Sequence, residues 1–192
     1  MSELAKSELA KSELAMGNVT SGRRAVIGLG ANLGDPQAAL RGAVLAFMQA
    51  EGVQVLACSR IYLTDPVGGP EQPQYLNAVL IIDTDCQPPE LLDLANRIEQ
   101  DWGRQRAERW GPRTLDVDLI HVDDVLLDSD RLTLPHPRAR ERAFVLVPWL
   151  QVDPDAVLPG AGRVADLVAA LDCRGVRDTG LELTADPAEG AP

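Results

Sequence analysis

The order of elements in this sequence is strand, helix, strand, strand, helix, strand, which predicts an α+β sandwich of the split βαβ, ferredoxin-like type with a mainly antiparallel sheet. Two observations carry that order. The hydrophobic period passes from a short apolar run at 25–29 to helical spacing at Leu40, Ala43, Val44, Phe47 and Met48, then to strand-like runs at 53–62 and 74–82. It repeats the change with a helical stripe of Leu91, Leu94, Ala95, Ile98 and Trp102 followed by a strand over 114–122.

Each element has its local signal. Asp35 and Pro36 offer an N-cap and an N1 proline to the first helix. A Pro- and Gly-dense loop separates the runs at 53–62 and 74–82, which suggests an antiparallel pair. Pro88 and Pro89 open the second helix, with Glu99 on the margin of its apolar face. Beyond the strand at 114–122 come a short segment at 125–134, an apolar run at 144–150 and a last helix at 164–171.

A chain of 192 residues, 45% hydrophobic and 24% charged, has the length and composition of one globular domain. We expect that domain at 23–177. Residues 1–22 contain a repeated SELAK unit whose leucines rotate around a helix and make no core stripe, so this leader is expected outside the fold. Residues 178–192, acidic and rich in Gly and Pro, are expected to be a disordered tail. With 18 basic and 29 acidic side chains the net charge is −11, which argues against nucleic acid or an anionic membrane as partner. The three scattered cysteines give neither a disulfide framework nor a zinc spacing. No apolar stretch approaches the ~20 residues of a membrane helix. A cytoplasmic location and a monomer are expected.

The glycines after the first strand do not make a nucleotide loop. Gly28, Gly30 and Gly34 miss the GxGxxG spacing, since Leu33 stands where the third glycine belongs, and no GK[ST] occurs. A tight strand-to-helix turn is the plainer explanation, with Asn32 free to face a ligand. The strongest chemical signal lies in the strand at 114–122, where Leu115, Val117 and Leu119 alternate with Thr114, Asp116 and Asp118. Strand geometry puts both carboxylates on one face, about 6.6 Å apart along the backbone. Two like charges so close need a cation, and Mg²⁺ takes such oxygen ligands together with water and phosphates. A solvated acidic face is the alternative.

The preceding segment favours the metal. Residues 97–113 hold five arginines and three acidic residues, locally +2 in a chain of −11, and Arg104, Arg106, Arg109 and Arg113 run straight into the aspartates. Guanidinium forks match phosphate oxygens two at a time, so the combination suits a polyphosphate. Trp110 beside them offers packing or a π-face for a flat ring. Arg131, Thr133 and His136, with Arg142 further on, make a second polar cluster, and Asn77 after Tyr75 is an amide among apolar residues that needs a hydrogen-bond partner.

These residues resemble the 6-hydroxymethyl-7,8-dihydropterin pyrophosphokinases of folate biosynthesis. The matching stretches are IGLGANLGD, SRIYLTDPVGG with QYLNAVL, GRQRAERWGPRTLDVDLI and LTLPHPRARERAFVLVPW, in order over about residues 25–160. The resemblance implies a ferredoxin-like enzyme that transfers the β,γ-pyrophosphoryl group of ATP to the pterin hydroxymethyl group and releases AMP. It implies that Asp116 and Asp118 bind two Mg²⁺ ions, and that Arg104 and Arg113 stabilise the moving group. ATP contacts fall on Glu99, Arg104, Arg106, Arg113, Arg131, Thr133, His136 and Arg142. The pterin slot falls on Tyr75, Asn77, Trp110, Phe144 and the backbone around Thr64 and Val67. The loops at 65–73 and 103–112 are expected to close over both substrates. Three positions depart from the family pattern: Ala107 where a lysine is common, Pro137 where an aromatic can follow the histidine, and Asp65 in place of a proline. Other Mg-dependent nucleotidyl- or phosphotransferases, or a nucleotide-binding module without turnover, remain as rival readings.

Overall fold

The computed structural model describes residues 22–66, 70–103, 111–123 and 125–184. Its main sheet is built around β1 (Arg23–Ala31), buried from Ala25 onward. A buried strand needs partners on both edges for its backbone groups. β1 has them: it lies antiparallel to β4 (Tyr75–Thr84) on one side and to β5 (Asp116–Val122) on the other. β2 (Val53–Cys58) and β3 (Arg60–Thr64) follow one another along the far edge of β4, and β10 (Val176–Glu182) adds to β3. The order β10-β3-β4-β1-β5, with β2 beside β4, is the ferredoxin-like arrangement expected from the sequence.

Two helices cover one face of the sheet. α1 (Pro36–Gln49) starts where Asp35 Oδ1 accepts the Ala38 N–H at 3.0 Å, with proline at the first helical position. α2 (Pro88–Asp101) starts where Glu90 Oε2 accepts the Gln87 N–H at 2.7 Å. Leu40, Val44 and Phe47 of α1 and Leu91, Ala95 and Ile98 of α2 bury against Ala25, Ile27, Leu29 and Ala31 of β1. The opposite face carries Val26, Val79, Ile81 and Ile120, covered by Val145, Leu146 and Trp149 of α3 (Ala143–Val152) and by Val164 at the start of α4 (Val164–Ala170). This second cover is partial. It meets β1 at Val26, while the next two residues on that face are Gly28 and Gly30.

Several elements differ from the sequence expectation. The run at 53–62 divides at Ser59, whose Oγ accepts the Val79 N–H at 2.9 Å while its own N–H donates to the Val79 carbonyl at 2.9 Å. A hydroxyl thus stands in for a backbone partner and lets one strand bend into two. The strand expected from 114 begins at Asp116, and the segment at 125–134 contains the small hairpin β6 (Leu127–Asp128) and β7 (Thr133–Leu134). The apolar run at 144–150 is α3, and a further hairpin, β8 (Val157–Leu158) with β9 (Gly162–Arg163), precedes α4.

The fold also extends past the expected end at 177. Residues through Glu182 belong to β10, and Leu183 is buried. An acidic composition loses here to the open edge of β3: Asp178 pairs with Arg60 at 2.8 Å and Thr179 Oγ1 donates to the Ile61 carbonyl at 2.6 Å. The SELAK leader through residue 21 and residues 185–192 lie outside the described residues.

Candidate active site

Where the second helical layer stops, the sheet exposes a floor. Val117 and Leu119 point into the core under α2, so Asp116 and Asp118 point to the other face. Opposite them in register are Gly30 and Gly28, and Gly30 also faces Asn77 across the β1–β4 pair. A Cβ at Gly30 would stand 2.7 Å from Asn77 Oδ1 and 4.0 Å from Asp116 Cβ. The glycines are therefore flat floor inside a strand, and the tight turn belongs to Gly34 with its φ of 67°.

Each carboxylate has its own guanidinium. Arg113 Nη1 donates to Asp116 Oδ2 at 2.6 Å, and Arg142 Nη1 donates to Asp118 Oδ2 at 2.5 Å. Burial alone would lower the Arg113 pKa, but the Asp116 carboxylate, with Tyr75 and Asp118 acting in the same sense, holds the guanidinium above its ordinary value. Arg142 also lies over the Phe144 ring, its guanidinium carbon 5.6 Å from the centroid, and so joins the acidic pair to an aromatic wall. His136 stands near this pair. Burial pushes its pKa below the ordinary value, with Asp118 pulling the other way, and its Nδ1 accepts the Arg138 N–H at 3.1 Å. The ring proton of the neutral form therefore sits on Nε2.

Over the floor opens a cavity of about 470 Å³. Asn77 Nδ2 donates to Thr64 Oγ1 at 2.6 Å, both side chains being buried at its base. Phe144 and Arg142 form one wall, and Tyr75 stands at the loop side with its hydroxyl 2.8 Å from Gln72 Oε1 and 3.2 Å from the Gly111 carbonyl oxygen. A slot with an apolar ring on one side and a fixed amide–hydroxyl pair below suits a flat, polar-edged heterocycle.

Thr64, Tyr75, Asn77, Arg113, Asp116, Arg142 and Phe144 are thus brought together in one cavity, and Asp118 is tied to it through Arg142. Arg131 and Thr133 lie apart on the β6–β7 hairpin, Arg131 paired with Asp93 of α2 and Thr133 Oγ1 donating to Asp128 Oδ1 at 3.3 Å. Glu99 lies behind β5, where its Oε1 accepts the Val117 N–H at 2.8 Å; the structure does not bring it to the cavity wall. Val67, Arg104, Arg106 and Trp110 lie outside the described residues, as do Arg109, Ala107 and most of the loop expected to close at 103–112.

Some positions at and around the cavity were not legible in the sequence. Asn32, expected to be free for a ligand, instead ties two loops: its Nδ2 donates to the Pro73 carbonyl at 3.0 Å and its Oδ1 accepts the Arg113 N–H at 2.8 Å. Leu171, Asp172, Gly175 and Val176 also line the cavity, although no motif marks them.

Comparison with known proteins decides the family. The family model described as 7,8-dihydro-6-hydroxymethylpterin-pyrophosphokinase (HPPK) matches residues 26–154. The chain belongs to this family. A Mycobacterium tuberculosis 2-amino-4-hydroxy-6-hydroxymethyldihydropteridine pyrophosphokinase is 48% identical over 162 residues, covering 78% of this chain and 84% of the relative. The Synechocystis enzyme of the same name is 43% identical over 162 residues, covering 83% of each. Among solved structures, a Plasmodium falciparum HPPK-DHPS with pteroate aligns at TM-score 0.60 and 12% identity over 82% of this chain, so it supports the fold alone. This chain spans 44% of that protein's length.

Proposed function

We propose that the protein transfers the β,γ-pyrophosphoryl group of ATP to the hydroxymethyl oxygen of 6-hydroxymethyl-7,8-dihydropterin and releases AMP, a step of folate biosynthesis. Family membership supports the reaction. The observation that carries it to these residues is a cavity sized for one heterocycle with the Asn77–Thr64 pair at its base and Asp116 in its lining, to which Arg142 joins Asp118.

In this reading the pterin ring lies over Gly30 and against Phe144, its polar edge meeting Asn77 and the backbone near Thr64 and Val67, with Tyr75 and Trp110 completing the slot. The hydroxymethyl oxygen forms a bond to the β-phosphorus as the bond from that phosphorus to the oxygen kept by AMP breaks, and the hydroxyl proton passes to solvent water. No covalent nucleophile on the protein is needed; what the chain supplies is position and compensating charge. Arg113 and Arg142 already stand at the acidic pair and turn to phosphate oxygens when ATP enters. Arg104 and Arg106 reach the same phosphates, with Arg104 and Arg113 on the transferred group. Arg131, Thr133 and His136 contact the nucleotide from the hairpin side, and Glu99 acts through β5 by holding the amide between the two aspartates.

Mg²⁺ fits the donor set. Asp116 and Asp118 are oxygen donors on one face, and among the described residues no group of three or more His, Cys, Asp or Glu side chains forms a cage. That leaves coordination positions for phosphate oxygens and water, as Mg²⁺ prefers. Asp116 and Asp118 would hold two such ions, which when bound would supply charge neutralisation at the phosphates. We take the enzyme to act as a cytoplasmic monomer; no helix among the described residues is long and apolar enough to cross a membrane.

The test is to incubate the protein with ATP, Mg²⁺ and 6-hydroxymethyl-7,8-dihydropterin and to identify the nucleotide product. AMP that appears only with the pterin is the expected result. ADP or pyrophosphate would move the protein to another Mg-dependent phospho- or nucleotidyltransferase.

A further inference from the structure

A loop that carries binding residues is placed by its two ends, and here one carboxylate holds both. The loop between β3 and β4 leaves at Asp65 and returns at Gln74. Asp65 Oδ1 accepts from Gln74 Nε2 at 2.7 Å and from Arg177 Nη2 at 3.1 Å. Arg177 comes from β10, beyond the 26–154 stretch that matches the family. The backbone makes the same link. Val176 pairs with Thr64 in the β10–β3 ladder, and the Asp65 N–H extends it by donating to the Gly175 carbonyl at 3.1 Å. Asp65 precedes Pro66, which disfavours helical backbone at Asp65 and keeps the extension straight.

The clamp is one residue from the chemistry of recognition. Thr64, next to Asp65, receives the Asn77 amide at the cavity base, and Gln72 inside the loop meets Asn32 and Tyr75. The segment that delivers Arg177 also puts Leu171, Asp172, Gly175 and Val176 on the cavity wall. Arg177 itself is not among the lining residues; its side chain reaches the cavity wall through Asp65, which is one of them.

We infer that Asp65 and Arg177 form a clamp through which β10 sets the two ends of the β3–β4 connection at the cavity, which makes Arg177 a positioning residue for the heterocyclic substrate. The inference rests on the pterin reading of that cavity. The two side chains are about half exposed, at 51% and 46%, so the pair contributes little to global stability and its effect falls on local placement.

The experiment uses the full chain with R177M, R177K, D65N and the double variant D65N/R177M. Hydrogen exchange of the ligand-free proteins is followed in peptides spanning 60–66 and 74–78, and KM is then measured separately for the pterin and for ATP. Exchange in both peptides is expected to quicken several-fold in R177M. The KM for pterin is expected to rise about three- to fivefold, the scale of one exposed ion pair. The KM for ATP, kcat and the thermal midpoint stay close to wild type. R177K restores most of the pterin KM, and the double variant is no worse than the poorer single one, because both changes cut the same link. Unchanged exchange would overturn the clamp, as would equal rises in both KM values or additive losses in the double variant. A wild-type protein that makes no AMP from the pterin would overturn the substrate reading instead, while the ligand-free exchange data decide the clamp by themselves.

Discussion

Gly30 to Ala is the smallest change that separates the floor of the cavity from its chemistry. Gly30 lies within β1, in backbone that alanine adopts without strain, so the effect comes from space alone. The new Cβ would sit 2.7 Å from Asn77 Oδ1, where ordinary contact begins near 3.4 Å, so the amide must retreat by about 0.7 Å. Asn77 is pinned on its other side by the 2.6 Å bond to Thr64, and both residues are buried. The displacement therefore breaks that bond or tilts the amide away from the ligand, and an unpaired buried polar group costs about 1–3 kcal/mol. In affinity this is roughly a 5- to 150-fold loss for the pterin. ATP binding, which does not use Asn77, should stay within two- to threefold of wild type. Calorimetry of pterin binding in the presence of a non-hydrolysable ATP analogue reads the first quantity, and nucleotide titration the second. Gly28 to Ala is the control. Its Cβ would meet Ile120 Cδ1 at 3.3 Å, the end of a side chain that can yield, and should leave pterin affinity nearly intact. A folded G30A protein that binds the pterin within twofold of wild type would refute the argument.

Four other outcomes are expected. Asp116→Ala and Asp118→Ala should each cut AMP formation by at least about a hundredfold, since in the proposed mechanism each removes a metal ligand and leaves phosphate charge uncompensated; near-normal rates in both would sink the metal assignment. Arg142→Met frees Asp118 from its counter-ion, so Mn²⁺ should bind the nucleotide-free protein more tightly by electron paramagnetic resonance while ATP binds more weakly; unchanged Mn²⁺ affinity would count against the ion pair. Glu99→Ala leaves the Val117 amide without its carboxylate and should lower both the thermal midpoint and kcat, whereas Glu99→Gln keeps an acceptor and should recover most of each. His136 has its pKa depressed in the fold, so the unfolded chain binds the proton more readily. Its contribution to stability is full above the ordinary histidine range and is lost as pH falls below about 6.5, levelling off beneath the depressed value. The fall in thermal midpoint from pH 8 to pH 5 should thus be smaller in His136→Gln than in wild type.

The layers of the fold were legible because hydrophobic period reports which face is buried. Leu91, Ala95 and Ile98 of α2 and Leu40, Val44 and Phe47 of α1 all lie where their spacing puts them, in the core beneath β1. The edges were harder. Whether a segment becomes an edge strand depends on what stands beside it in space, so residues 178–182 have a tail's composition and still pair with β3 through Asp178 and Thr179. Ser59 divides one strand-like run into two for a similar reason: its hydroxyl answers a Val79 amide twenty residues away, and alternation along 53–62 carries no sign of it.

The candidate site divides along the same line. Asp116 and Asp118 were visible because a period of two puts them on one face whatever surrounds them, and Arg113 was visible because it adjoins them in sequence. Gly28 and Gly30 were seen but assigned to a turn, since a missing side chain has no spacing that tells floor from bend; only the register against Asp118, Asp116 and Asn77 does so. Glu99 shows the converse. Its place on the margin of an apolar helix face marks it as unusual, yet that face looks away from the cavity, and its carboxylate accepts the Val117 amide of the strand that carries both aspartates. The site exists because Val26 and Ile120 receive the second helical layer while Gly28 and Gly30 do not. A side chain at Gly30 would bring the cavity floor up against Asn77, and Asp116 would then border packed side chains instead of an open slot.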